Sequence, residues 1–322
     1  MEITTKKRMQ IFTGRGYPAM SKEVADHLGM RLGDVELKDF SNGEIYVRYQ
    51  ENVRGSDVFV IQTHCEPINQ NIMEQLIMIE AAKRASAKRI TAICPFYGYG
   101  RQDKKAKSRE PITARLLADM LTVAGADRVV SVDLHSQQVQ GFFDQPLDSL
   151  TALPLLVDWL RERFPSKEIV VASPDAGRVN LMEKFLSRLP EASPAYLAKT
   201  RTGHNVSKTL GVTGDVTGAT VALVDDMIDT AGTICGAAEA LMERGAKRVL
   251  ALATHPVLSG PACRRLQAAP IERVVVTNTL PLPPCHELDK IEVVSIAPIV
   301  ASTMKAIFED QSVSELFDDQ NQ

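Results

Sequence analysis

The chain is poor in aromatic residues, which make up 5% of it, with one Trp in 322 residues. It has no apolar run near the roughly 18–20 residues that a membrane helix needs, and no membrane partner is expected. The opening residues, MEITTKKRMQIFTGRG, carry no apolar signal core. A basic excess is also missing: the formal net charge is −3, which argues against nucleic acid as the main partner. The five cysteines, Cys65, Cys94, Cys235, Cys263 and Cys285, form no CxxC and no Cys/His cluster. Odd in number, they read as thiols of a cytoplasmic protein, most of them core filler, and a structural zinc site is not expected. No G-x-G-x-x-G follows the first strand, since TGRGYPAM (13–20) fails the spacing, and a dinucleotide-binding dehydrogenase is set aside.

Short β-branched runs alternating with helix-length segments are present instead. Strands are expected at 57–62, 89–95, 128–135, 168–174, 220–226, 248–256 and 273–279, with helices at 71–85 and 233–245. Continuous apolar strands separated by helices imply an α/β protein with mainly parallel sheets flanked by helices. Residues 56–95 and 218–256 share one pattern of strand, polar loop, helix, Ala-Lys-Arg and a second strand ending in Pro. That pattern indicates one unit used twice, hence two similar domains in tandem. The expected division is 1–150, with about 300–322 returning to it, and 151–299. Where the second copy has Asp225, Asp226 and Asp229, the first has Gln62, Thr63 and Glu66.

The segment VALVDDMIDTAGT (221–233) is the sharpest candidate for a site. A parallel strand delivers its C-terminal residues to the edge where open α/β sheets bind ligands. Small residues leading into a helix let backbone N–H groups close on a phosphate, and the helix dipole adds positive charge. Carboxylates beside such a loop suit adjacent sugar hydroxyls, so Asp225, Asp226 and Asp229–Thr233 together suit a sugar phosphate. A capped acidic turn is the plainer explanation.

Four further segments carry chemistry-bearing residues. FYGYGRQDKKAKSRE (96–110) gathers Arg101, Lys104, Lys105, Lys107 and Arg109 against Asp103, a density suited to a polyphosphate or to a solvated loop. In VDLHSQQVQGFFDQPLD (132–148), Asp133 and His135 are two apart and would share a face of a strand. His is an uncommon Mg²⁺ ligand, so a hydrogen-bonding role for His135 stays open. SPDAGR (173–178) puts Asp175 just past a strand, and LAKTRTGHN (197–205) places Lys199 and Arg201 two apart in an expected loop. DFSNGEIYVRYQENVRG (39–55) reads as a hairpin closed by a tight turn.

VDDMIDTAGT resembles the phosphoribosyl-pyrophosphate signature of the type I phosphoribosyltransferase fold. With RQDKK…SRxPI, DLHxxQxQGFFD, SPDxG, the Lys-x-Arg pair and the 39–55 hairpin in order along the chain, the whole sequence resembles the ribose-phosphate pyrophosphokinase family. The resemblance implies two tandem phosphoribosyltransferase-type domains and a diphosphate transfer from ATP to ribose 5-phosphate, with Mg²⁺ as cofactor. It implies ATP contacts at Phe40, Asn42, Gly43, Glu44, Arg101 and Gln102, and metal ligands at His135 and Asp175 with Asp133 in support. Ribose 5-phosphate would lie on Arg201, Asp225, Asp226, Asp229, Thr230, Ala231, Gly232 and Thr233, and Lys199 and Arg201 would be catalytic. It further implies a homohexamer, activated by inorganic phosphate and inhibited by ADP, with Arg54 and Ser312–Ser314 as regulatory residues. The family pattern continues SPDxG with a second Gly where this chain has Arg178. Two other readings use the same sugar loop: a phosphoribosyltransferase, which has no need of RQDKK, and a non-catalytic regulatory relative, which should have lost the Lys/Arg pair or the Asp loop.

Overall fold

The computed structural model describes residues 7–200, 209–283 and 288–317, and its contacts divide the chain into two units, Met1–Thr151 with Ile296–Gln322, and Ala152–Ser295. The first unit runs β1 (Met9–Thr13), α1 (Pro18–His27), β2 (Val35–Asp39), β3 (Ile45–Tyr49), β4 (Asp57–Ile61), α2 (Ile68–Arg84), β5 (Arg89–Cys94), α3 (Thr113–Ala124), β6 (Arg128–Val132) and β7 (Leu147–Leu150). Five strands form a wholly parallel sheet in the order β1-β4-β5-β6-β7, and β2 and β3 pair as a separate antiparallel hairpin.

The second unit runs α4 (Leu153–Arg163), β8 (Ile169–Ser173), α5 (Val179–Arg188), β9 (Ser193–Thr200), β10 (Thr209–Thr213), β11 (Thr220–Ile228), α6 (Gly232–Glu243), β12 (Arg248–Pro256), α7 (Ala262–Ala268), β13 (Arg273–Thr277) and β14 (Ile291–Val294). Its sheet has the order β10-β9-β8-β11-β12-β13-β14, antiparallel only between β9 and β10. The helix α8 (Ala297–Phe308) then rejoins the first unit and packs on α1.

The continuous apolar strands follow from burial on both faces. Val221, Leu223, Val249 and Ala251 enter one core, with Ile234 and Leu241 of α6 and Leu266 of α7. Their neighbours Ala222, Val224, Leu250 and Leu252 enter another, with Leu156 and Leu160 of α4 and Phe185 of α5. A strand covered on both sides loses polar alternation, which is why its sequence shows none.

The tandem repeat is visible in the backbone. Strands β1, β4, β5, β6 and β7 occupy the same order as β8, β11, β12, β13 and β14, and each unit inserts a hairpin after its first strand. Lys88 N–H donates to Ser56 O at 2.8 Å, and Lys247 N–H to Ala219 O at 2.9 Å, so the two Ala-Lys-Arg turns make the same bond. Gly55 to Ser86 and Gly218 to Gly245 repeat a second bond, each at 2.8 Å. Ser86 and Gly245 both adopt left-handed backbone there, φ 63° and 87°.

The cysteine expectation needs correction. Cys65, Cys94 and Cys235 are free and buried, whereas Cys263 is disulfide-bonded. Cys285 lies outside the described residues.

Candidate functional site

In the second sheet β8 pairs with β11 only as far as Leu223, opposite Ala172, while β12 follows β11 to Ile228, opposite Pro256. The strand therefore overhangs its neighbour by several residues, longer than the 220–226 expected, and Asp225 and Asp226 lie on the overhang. The space beyond β8 is crossed by its outgoing loop. There Asp175 caps a turn of 3-10 helix, accepting from Gly177 N–H at 2.9 Å, and Arg178 ends that turn.

Arg178 faces the overhang. Its Nε donates to Asp225 Oδ1 at 2.9 Å, and its Nη2 lies 2.9 Å from Asp226 Oδ1. The three side chains are 20%, 16% and 8% exposed, so this is an inner cluster rather than a surface pair. Burial, then the shared hydrogen bond and charge of Asp226, push the Asp225 carboxyl up to about 8; the Arg178 charge works the other way. Two largely buried carboxylates this close cannot both stay ionised cheaply, and the guanidinium offsets part of that cost.

Downstream, Ala231 takes a left-handed conformation at φ 58° and α6 begins at Gly232. No side chain caps that helix, and its first turn holds no acid. Backbone donors at such an end are served by an anion or water. Asp229, whose charge would repel an anion, accepts from Ser259 Oγ. Arg265 of α7 donates from Nη1 to Thr230 O at 2.9 Å and stands 3.3 Å from where a Gly232 Cβ would be, adding positive charge beside the loop. Sequence reading missed Ser259 and Arg265. Each is about thirty residues from its partner, and only the β12–α7 connection brings it back.

The remaining sugar-side and catalytic residues are less fully seen. Lys199 lies on β9, opposite Leu210 of β10, so it belongs to a strand rather than to the expected loop, and Arg201 lies outside the described residues.

The nucleotide-side expectations all lie in the first unit. The turn after β2 is closed by Phe40 N–H to Glu44 O and Gly43 N–H to Phe40 O, both 2.8 Å, with Gly43 at φ 89°. Asn42 Oδ1 accepts from Glu44 N–H at 3.2 Å, and Phe40 projects from the turn, 50% exposed. After β5 the loop sorts its charges. Asp103 turns inward and accepts from Gln138, and Glu110 accepts from Ala106 and Lys107 N–H at 2.8 Å. Arg101, Lys104, Lys105, Lys107 and Arg109 remain exposed. Gln102 is tied to α3, accepting from Thr113 Oγ1 at 2.5 Å.

That loop is held from below by His64. Gly98 N–H donates to His64 Nδ1 at 2.9 Å, so Nε2 carries the proton and donates to Gln75 Oε1 at 2.9 Å. Burial lowers His64 to about 4, and it stays neutral at physiological pH.

Asp133 and His135 require a correction. β6 ends at Val132, and Asp133 adopts a left-handed φ of 39°, so strand alternation does not bring the two together. Both are half-buried in the loop after β6, with His135 Cβ 3.8 Å from the place of a Gly100 Cβ. His135 thus adjoins the basic loop, whereas Asp175 belongs to the other unit. Among the described residues no group of three or more His, Cys, Asp or Glu converges as a ready-made metal cage.

The chain is similar to known proteins over almost its whole length. Residues 9–125 match the family model for the N-terminal domain of ribose phosphate pyrophosphokinase, and residues 192–318 match that for the phosphoribosyl synthetase-associated domain. The chain is 52% identical to a ribose-phosphate pyrophosphokinase of Streptomyces avermitilis, covering 99% of both chains. It is 52% identical to that of Bifidobacterium longum, covering 99% of this chain and 95% of the other. A crystal structure of phosphoribosylpyrophosphate synthetase from Mycobacterium smegmatis superposes with a TM-score of 0.90 at 51% identity, covering 94% of this chain and 100% of that one. The α/β fold and these likenesses define a transferase of nucleotide biosynthesis. The chain belongs to the ribose-phosphate pyrophosphokinase family.

Proposed function

We propose that the chain transfers the β,γ-diphosphate of ATP to the 1-hydroxyl of ribose 5-phosphate, giving 5-phosphoribosyl 1-pyrophosphate and AMP. The observation that carries this reading is the pairing, on one strand-loop-helix segment, of the Asp225–Asp226 carboxylates with the uncapped N-terminus of α6. The carboxylates suit adjacent sugar hydroxyls as acceptors, and the helix end suits a 5-phosphate. The exposed cations of the loop after β5 suit a nucleoside triphosphate and have no evident use in a phosphoribosyltransferase.

In the reaction the anomeric oxygen attacks the β-phosphorus, the bond from that phosphorus to the α-phosphate oxygen breaks, and AMP leaves. The protein has little covalent work to do, so alignment and positive charge carry the rate. Asp225 and Asp226 orient the sugar through its ring hydroxyls, and Asp229–Thr233 hold its phosphate. Phe40, Asn42, Gly43, Glu44, Arg101 and Gln102 hold ATP. Lys199 and Arg201 meet the developing charge on the diphosphate, and Arg201 also helps hold the sugar phosphate.

The proposed ligands are of a kind that suits Mg²⁺: Asp175 commits Oδ1 to the turn it caps and keeps a second carboxylate oxygen, while Asp133 and His135 belong to the first unit. Mg²⁺ is commonly held by one or two carboxylates together with substrate phosphates and water, which needs no preformed cage. When bound it would neutralise charge on the phosphates.

Self-association into a homohexamer is part of the proposal, supported by the exposed stripe of Ile112, Leu116, Met120 and Val123 along α3, beside Met73 of α2. Inorganic phosphate is the proposed activator. Ser312 and Ser314 line a cavity of about 460 Å³ with Arg89 and Arg128, although Arg54 is not among its lining residues. A cytoplasmic location is proposed; no helix among the described residues is long and apolar enough to cross a membrane.

The test is to measure AMP release from ATP and Mg²⁺ with and without ribose 5-phosphate. Release that depends on the pentose is expected. Equal release in its absence, or ADP in place of AMP, would overturn the reading.

A further inference from the structure

Arg178 occupies the crevice assigned above to the sugar. Its Nε donates to Asp225 Oδ1 at 2.9 Å, and its Nη2 forms an ion pair with Asp226 Oδ1 at 2.9 Å. A pentose with adjacent hydroxyls would seek the same two carboxylates, so guanidinium and diol compete for the pair. We propose that Arg178 is a displaceable latch on the pentose site: it holds the two carboxylates in the sugar-free chain, and ribose 5-phosphate binds by exchanging its diol for the guanidinium. This inference rests on the pentose reading of the crevice.

Three observations support exchange rather than a permanent structural pair. The acids stand on the overhang of β11, past the last residue that β8 pairs, and the guanidinium meets them from the loop that follows β8. Arg178 sits at the end of one short turn of 3-10 helix, not inside a long helix. The corresponding arginine of the first unit shows what a fixed pair looks like. Arg15, in the loop after β1, bonds Glu74 through both its backbone N–H and its Nε, and reaches Asp39 at 2.7 Å with Nη2. Glu74 there also accepts from Gln62 at 2.9 Å. That carboxylate is anchored from several sides on α2, whereas Asp225 and Asp226 meet Arg178 on a stretch of β11 that β8 does not pair.

Arg178 and Asp175, the carboxylate proposed for Mg²⁺, stand on one turn, closed by the bond from the Arg178 backbone N–H to Asp175 O at 3.3 Å. The latch also keeps the carboxylate pair compensated while the site is empty, at the cost of weaker sugar affinity.

The test uses calorimetry with ribose 5-phosphate on the full chain, its Arg178→Gln and Arg178→Lys variants, and crystal structures of the parent with and without the sugar. Removing the latch should lower the Kd by roughly threefold to tenfold, the effect of one partly buried ion pair. Arg178→Lys, which keeps the charge without the fork, should fall between. In the sugar-bound crystal, Arg178 should have left both carboxylates. A higher Kd in Arg178→Gln, or sugar hydroxyls on Asp225 with the guanidinium still bridging the pair, overturns the latch and leaves the pentose site standing. No sugar at Asp225 and no heat overturns both. If Arg178→Gln does not fold, the two parent crystals decide the matter alone.

Discussion

Gly16 donates its backbone N–H to the side-chain oxygen of Gln62 at 2.9 Å, at the edge of the first sheet that corresponds to Asp225 in the second. The two units share a strand order, yet here they diverge. In the first, Gln62, Asn71 and Glu74 are buried, and they fill with hydrogen bonds the space that the second leaves to its carboxylates.

That filling is tight enough to be felt by one methyl group. A Cβ on Gly16 would lie 2.9 Å from Thr63 O and 2.8 Å from Gln62 Oε1, both held in place. Gly16→Ala is expected to destabilise the protein by about 1–3 kcal/mol, the usual cost of overpacking, read as a lowered midpoint in urea. An unchanged midpoint would mean the network is loose.

His64 predicts an acid limb of stability. Its folded value of about 4 lies below the ordinary 6.5, so the unfolded chain binds the extra proton first. Its contribution is complete above about 6.5 and is lost as pH falls towards about 4, about 3 kcal/mol over that window at ~1.36 kcal/mol per unit. His64→Gln should flatten the stability profile between those limits, checked by denaturant titrations across pH.

Asp225 has the opposite sign. An acid whose folded value is raised from 3.8 to about 8 favours the folded chain below about 4 and loses that advantage as pH rises through about 8. Asp225→Asn keeps the shape and removes the titration. It should reduce the loss of stability between these limits while raising the KM for ribose 5-phosphate by roughly 3–10-fold, the effect of one hydrogen bond. A variant with unchanged KM would take Asp225 out of sugar binding.

Lys199→Ala and Arg101→Ala separate the two halves of the reaction. The first should lower kcat about 10²–10³-fold with little change in KM for either substrate, as loss of a well-aimed charge does. The second should act chiefly on the KM for ATP. Steady-state kinetics with each substrate varied in turn distinguishes them.

Much of the fold was legible because the strands are buried on both faces. VALV (221–224) and VLALAT (249–254) stand out as apolar runs, and the repeated Ala-Lys-Arg marked the turn that makes the same bond in both units. The hairpin β9–β10 was not legible: LAKTR has two charges and no alternation, and its pairing with Leu210–Thr213 depends on the neighbouring sheet. β7 and β14 are four-residue edge strands, too short to carry a period. In the site, the carboxylates and the loop were legible from local spacing. Contacts made across the fold, Arg178 to Asp225, Ser259 to Asp229 and Arg265 to Thr230, were not, since each partner lies 30 to 47 residues away.

The most direct test of the central claim is to follow the label from ATP carrying ³²P at its γ-phosphorus in the presence of ribose 5-phosphate and Mg²⁺. Diphosphate transfer predicts all transferred label on the sugar as a 1-diphosphate ester, with unlabelled AMP formed in equal amount. Label on the sugar as a single phosphate, accompanied by ADP, would contradict it.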